Sequence, residues 1–200
     1  MTDNSAFDQL FGAVPLMAIL RGMGVERTLA TATRAWDLGI TVVEVPVQTP
    51  ADVEALRVLA EAARERGLVV GAGTVISPEH VRQAADAGAA FTVSPGLDLE
   101  IVRASHEAGM PPLPGVSTAT EVQHALREGL TWMKAFPASL LGTGWFPAMR
   151  GPFPQAKFVA TGGMGSANAR EFLAAGVRVV AVGSALEDES QLPALASLLS

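Results

Sequence analysis

Arg127-Glu128-Gly129-Leu130-Thr131-Trp132-Met133-Lys134-Ala135-Phe136-Pro137 packs a helix exit, a short apolar strand and a stop signal into one stretch. A glycine at this position closes a helix in the left-handed conformation, and the apolar run after it reads as a strand. The same signal recurs at Gly39, Gly67, Gly88, Gly109 and Gly176, each following a helical pattern and preceding apolar residues. Successive intervals are 28, 21, 21, 20 and 47 residues, and the last holds two units, one closed by a different signal at Gly151-Pro152. Regular alternation of this kind is the pattern of βα units in a parallel sheet.

Eight strands follow, near residues 14–20, 40–45, 68–72, 90–94, 110–115, 131–136, 157–161 and 177–182. Helices are expected near 26–38, 50–66, 78–87, 98–108, 118–128, 144–149, 166–175 and 192–199. A further short N-terminal helix over 4–11 is expected to close the bottom. The fold class is therefore α/β, a small (β/α)8 TIM barrel forming one domain over residues 1–200. A doubly wound open sheet is the alternative. A hydrophobic content of 49%, a charged content of 17% and a large core suit strands buried on both faces.

The net charge of −6 argues against nucleic acid or an anionic membrane as partner. With no cysteine, disulfides, thiolate catalysis and Cys-bound metals are excluded. Residues 1–10 lack the basic-then-apolar pattern of a signal peptide, and no apolar run reaches the roughly 20 residues of a membrane span. A cytoplasmic protein is expected.

In such a barrel, functional groups sit at the C-terminal ends of strands. Those ends offer Arg21, Glu44, Gly73-Thr74, Ser94-Pro95, Pro114-Gly115, Lys134, Thr161-Gly162-Gly163 and Gly183-Ser184. Lys134 is one of only two lysines against twelve arginines, and alternation puts it on one strand face with Trp132 and Phe136. Burial disfavours its charged form and makes it a usable amine nucleophile, although a snorkelling or salt-bridged lysine fits the same pattern. Glu44, the one acid of twenty inside a predicted strand, stands among valines, where burial raises a carboxyl pKa toward the range of acid–base work. It could equally neutralise Lys134 or Arg21.

Glycines after strands seven and eight lie where these barrels commonly hold phosphate, though glycine also serves turns. His80, His106 and His124 all fall in predicted helices, which argues against convergence on a divalent metal. Ser117 or Thr118 with Glu121 reads as a capping box.

Glu44-Val45-Pro46, Gly71-Ala72-Gly73-Thr74-Val75, Val93-Ser94-Pro95-Gly96, Pro114-Gly115-Val116-Ser117-Thr118, Lys134-Ala135-Phe136-Pro137, Gly151-Pro152-Phe153-Pro154, Thr161-Gly162-Gly163 and Val182-Gly183-Ser184 occur in the order of the 2-keto-3-deoxy-6-phosphogluconate (KDPG) aldolases. The resemblance spans almost the whole chain. It implies a class I aldolase without metal or other cofactor, acting on a phosphorylated keto sugar acid to give pyruvate and glyceraldehyde 3-phosphate. It also implies a homotrimer. By motif, Lys134 resembles the Schiff-base lysine and Glu44 the acid–base residue. Thr74, Pro95 and Phe136 would line the pyruvate end; Thr161, Gly162, Gly163, Gly183 and Ser184 would hold phosphate.

Where the gluconate type commonly carries arginine, four residues after the glutamate, this chain has Gln48. That amide, Pro46 and Ile19-Leu20-Arg21-Gly22 look more like the phosphogalactonate aldolases, with Arg21 as a carboxylate clamp or an ordinary rim ion pair. The same fold also serves cleavage of 4-hydroxy-2-oxoglutarate, and phosphosugar isomerases and silent phosphate sensors are the remoter alternatives. After strand eight only residues 185–200 remain, shorter than the final helix the family implies.

Overall fold

Each helix-ending glycine does what its neighbours in sequence demand. Gly39, Gly67, Gly88, Gly109, Gly129 and Gly176 all have φ between 69° and 96°. The residue after each glycine sends its N–H five residues back, from Ile40 to Ala35 (2.9 Å) through Val177 to Phe172 (3.2 Å). This is the Schellman closure, which satisfies carbonyls left orphaned by the helix end and turns the chain into the next strand.

The computed structural model describes residues 3–12 and 14–199, so residues 1–2 of the N-terminal stretch read above lie outside it. In chain order the elements are α1 (Asp3–Phe11), β1 (Leu16–Ile19), α2 (Gly24–Asp37), β2 (Val42–Pro46), α3 (Pro50–Glu65), β3 (Val70–Gly73), α4 (Pro78–Asp86), β4 (Thr92–Val93) and α5 (Leu99–Glu107). Then come β5 (Pro112–Leu113), β6 (Gly115–Val116), α6 (Ala119–Arg127), β7 (Trp132–Ala135), α7 (Ala138–Leu141), α8 (Trp145–Arg150), β8 (Lys157–Thr161), α9 (Ala169–Ala174), β9 (Val179–Val182) and α10 (Leu192–Ala196). Thr49, Ser77, Asp98 and Thr118 cap α3 to α6 with their side chains, and Thr118 with Glu121 forms the expected capping box.

All strand pairs are parallel, in the order β5-β4-β3-β2-β1-β9-β8-β7-β6. The two ends of that order are consecutive in sequence, joined at Pro114, so the sheet closes into the (β/α)8 barrel and not into an open doubly wound sheet. The fifth strand is split because proline has no N–H for the ladder. The Pro114 carbonyl still accepts from Lys134 N–H (2.8 Å), and Gly115 N–H donates to Gly96 (3.2 Å).

The structure departs from the expected elements in four places. Most strands are shorter than the apolar runs, while β8 spans the expected 157–161. The sixth crossover holds α7 as well as α8, because Gly142 breaks the helix after one turn. The seventh crossover helix begins at Ala169 and not at 166, because Asn168 accepts from Gly165 N–H (3.0 Å) and holds the preceding segment as a turn. After β9 come two 3-10 turns, Ser184–Leu186 and Glu189–Gln191, and only then a brief α10, in place of a helix over 192–199.

Inside the barrel, Met17, Val42, Phe91, Val93, Leu113, Trp132, Val159 and Val179 form one cluster with Phe7 and Phe11 of α1. The Phe7 and Phe11 rings stack at 5.8 Å, and Phe11 lies 4.9 Å from Trp132. Asp8 accepts from Trp132 Nε1 (2.9 Å) and pairs with Lys157, while Asn4 bridges Gly129 O and Thr131 N–H. These partners lie at the starts of β7 and β8, so α1 plugs the N-terminal end and leaves the opposite end open. Phe11→Ala is expected to destabilise the protein by about 3–5 kcal/mol. Chemical denaturation checks this; a loss below about 1 kcal/mol would mean that α1 is not part of the core. Among the described residues no helix is long and apolar enough to cross a membrane.

Candidate active site

Lys134 lies on β7 in register with Gly115 of β6 and Val159 of β8, and its side chain is buried, only 3% of the residue being exposed. Its Nζ stands 4.7 Å from the centre of the Phe136 ring. Burial pushes its pKa below the ordinary lysine range; the Glu44 charge works upward against this and Arg21 works with it.

Glu44 lies on β2 between Ile19 of β1 and Gly71 of β3, and it is completely buried. Gly73 makes the room, since a Cβ there would come within 1.7 Å of Glu44 Oε1. Neither carboxylate oxygen has a hydrogen-bond partner among the described residues. Burial therefore raises the Glu44 pKa, with the charges of Lys134 and Arg21 pulling it back. An amine and a carboxyl are thus both driven toward their neutral forms at one end of one barrel.

Above them opens a cleft of about 650 Å³. Of the residues expected at the site, Arg21, Thr74, Pro95, Lys134, Phe136, Thr161, Gly162, Gly163, Gly183 and Ser184 line it. Glu44 lies beneath the lining. Gln48 is not in the cleft wall either, and reaches the site by accepting a hydrogen bond from Arg21 Nη1. Arg21 Nη2 also donates to Thr74 Oγ1 (3.2 Å), so both partners are neutral and the guanidinium keeps its charge for the mouth.

At the far end, Gly162 and Gly163 have φ of 95° and 74°. A Cβ on Gly163 would meet Ser139 Oγ at 2.4 Å, and Asn168 Nδ2 donates to the Gly163 carbonyl (2.8 Å). Thr161 Oγ1 is buried and has no hydrogen-bond partner among the described residues. The cleft also uses Ile19, marked only as part of the Ile19-Leu20-Arg21-Gly22 motif, and Met23, Met164, Ala181 and Glu187, which no motif marks. Ile19 and Ala181 follow from alternation with Met17 and Val179. Glu187 follows a 3-10 turn with no sequence signature and pairs with Arg27. Among the described residues, no three of the His, Asp and Glu side chains are grouped so as to hold a metal ion.

The KDPG and KHG aldolase family model matches residues 8–196. A probable 2-dehydro-3-deoxy-6-phosphogalactonate aldolase of Rhizobium meliloti is 34% identical, over 86% of this chain and 81% of its own length. The KHG/KDPG aldolase of Escherichia coli K12 is 35% identical, over 80% of this chain and 75% of its own. A solved KDPG aldolase from Legionella pneumophila, with pyruvate captured as a covalent carbinolamine, superposes with a TM-score of 0.84 at 31% identity, covering 100% of this chain and 97% of that one. With sequence, barrel and mouth all in agreement, the chain belongs to the KDPG and KHG aldolase family.

Proposed function

We propose that the protein is a class I aldolase that cleaves a 2-keto-3-deoxy-6-phospho sugar acid, of phosphogluconate or phosphogalactonate type, to pyruvate and glyceraldehyde 3-phosphate. The observation that carries this is a buried lysine and a buried carboxyl under one open cleft. Neutral Lys134 attacks the C2 carbonyl, and the carbinolamine loses water to give a protonated imine. That imine takes up the electron pair of the C3–C4 bond as the C4 hydroxyl proton leaves, releasing the aldehyde and an enamine. Protonation of the enamine at C3 and hydrolysis release pyruvate and restore the amine. Glu44 is the group that accepts and returns these protons, through water, and burial moves its pKa upward, toward the range of acid–base work.

Arg21, backed by Gln48, clamps the substrate carboxylate beside Thr74, Pro95 and Phe136, an arginine fork being matched to a carboxylate. Thr161, Gly162, Gly163, Gly183 and Ser184 take the phosphate. An isomerase would leave the imine-forming lysine without a task. Cleavage of 4-hydroxy-2-oxoglutarate is the second reading, favoured by one observation: among the described residues no cation lines the cleft beside Gly162, Gly163 and Ser184, and Arg27 near it is paired with Glu187.

Ser184→Asp separates these readings. It is expected to raise KM for the phosphorylated substrate about tenfold or more, from one like-charge contact of at least about 1.4 kcal/mol. KM for the dephosphorylated analogue should stay level. Equal KM values for both substrates in the unaltered enzyme would remove the phosphate assignment. We also place the protein in the cytoplasm as a homotrimer, for which light scattering should give three times the 20.7 kDa chain mass.

A further inference from the structure

Thr74 is the one described residue other than glycine held at positive φ, at 56°. A side chain with a branched Cβ pays roughly 1–2 kcal/mol for that conformation and keeps it only where its surroundings over-determine it. The surroundings here are specific. Val75 N–H donates to Val93 O (3.1 Å), Ser94 Oγ donates to Val75 O (2.7 Å), and Val47 N–H ties Gly73 O (2.9 Å).

The remaining hold comes from α4. His80 Nδ1 lies 3.3 Å from Thr74 O and 3.4 Å from Ile76 N. With Nδ1 as acceptor it takes the Ile76 N–H; with Nδ1 carrying the proton it donates to Thr74 O. In either tautomer this one ring atom ties the turn to α4, through Ile76 in one and through Thr74 in the other. The backbone that carries the ring is fixed, because the His80 main-chain N–H donates to Ser77 Oγ (3.2 Å) at the helix cap.

From these contacts we infer that His80 is a positioning residue for the substrate-carboxylate end of the site. It holds the 74–76 turn so that Thr74 Oγ1 meets Arg21 Nη2 and aims the guanidinium. Arg21 is then braced on two sides, by Thr74 and by Gln48, and a braced fork loses less freedom on binding a planar carboxylate. The inference rests on the reading of Arg21 as the carboxylate clamp.

The test is reductive trapping of the full-length enzyme with pyruvate and cyanoborohydride, read as a pyruvate concentration dependence and a maximal rate. His80→Ala is expected to raise the half-saturating pyruvate concentration about three- to tenfold, the effect of losing one modest hydrogen bond, with the maximal rate unchanged. His80→Asn puts an amide atom where Nδ1 stands and should restore the wild-type value. A role in stability alone would lower the maximal rate through the active fraction and leave the half-saturation point in place. An unmoved half-saturation point in His80→Ala, or a failure of Asn to restore it, overturns the inference. Arg21→Ala separates the two layers. If it raises the half-saturation point while His80→Ala does not, only the positioning role falls; if it changes nothing, the clamp falls and takes the positioning role with it.

Discussion

Lys134→Met is expected to reduce kcat by about 10⁴-fold or more, the scale of loss when a covalent nucleophile is removed. No neighbour can take over, because the only other lysine, Lys157, is held by Asp8 at the closed end of the barrel. The same change should keep or raise thermal stability, since it replaces a buried amine by an apolar chain of similar length. Its pH dependence has a definite sign. The folded-state pKa of Lys134 lies below the ordinary lysine value of 10.5, so below the folded value the native state carries a penalised charge. That penalty fades as pH rises from the lowered pKa to the unfolded one. The stability gained by Lys134→Met should therefore be largest below the lowered pKa and shrink as pH rises from there toward 10.5. Retained turnover, or a variant that fails to fold, would contradict this account of the lysine.

Glu44→Gln carries the second large effect. Removing the proton carrier while keeping the shape should cut kcat by about 10²–10⁴-fold. It should also move the lysine. The Glu44 carboxylate raises the Lys134 pKa, so its loss leaves burial and Arg21, both of which lower it. The midpoint of the pH profile for pyruvate trapping should shift to lower pH in the variant, even as the rate falls. Stability moves as well. Because the Glu44 pKa is raised above 4.5, the native state loses stability as pH climbs from that value to the raised one. Glu44→Gln should therefore gain on the wild type above this window and show little difference below it. Near-normal turnover, or a trapping midpoint that moves up, would remove Glu44 from the proton-transfer role.

The barrel was legible because helix exits are written locally. Each Schellman closure needs one glycine and an apolar successor, and those survive in the sequence without any tertiary information. Lys134 and Glu44 were legible for the opposite reason: a charge inside an apolar strand conflicts with its surroundings, and such conflicts gather at sites. What stayed hidden depends on residues meeting from distant elements. That Gly73 exists to admit the Glu44 carboxyl, or Gly115 to clear the Pro95 carbonyl, emerges only when β2, β3, β4 and β6 are side by side. Glycine's usual duty in turns masks both. The split of the fifth strand at Pro114 follows from register, which short strands do not announce. Histidine placement gives the clearest case. His80 is read correctly as helical, yet only the fold brings its ring against the Thr74 turn.

Imine formation at Lys134 can be read by reductive trapping with pyruvate followed by peptide mapping. The expected result is a single reduced pyruvyl adduct on Lys134 and none on the Lys134→Met protein. An adduct on Lys157, or a folded wild-type protein that traps nothing, would contradict imine catalysis at this barrel mouth.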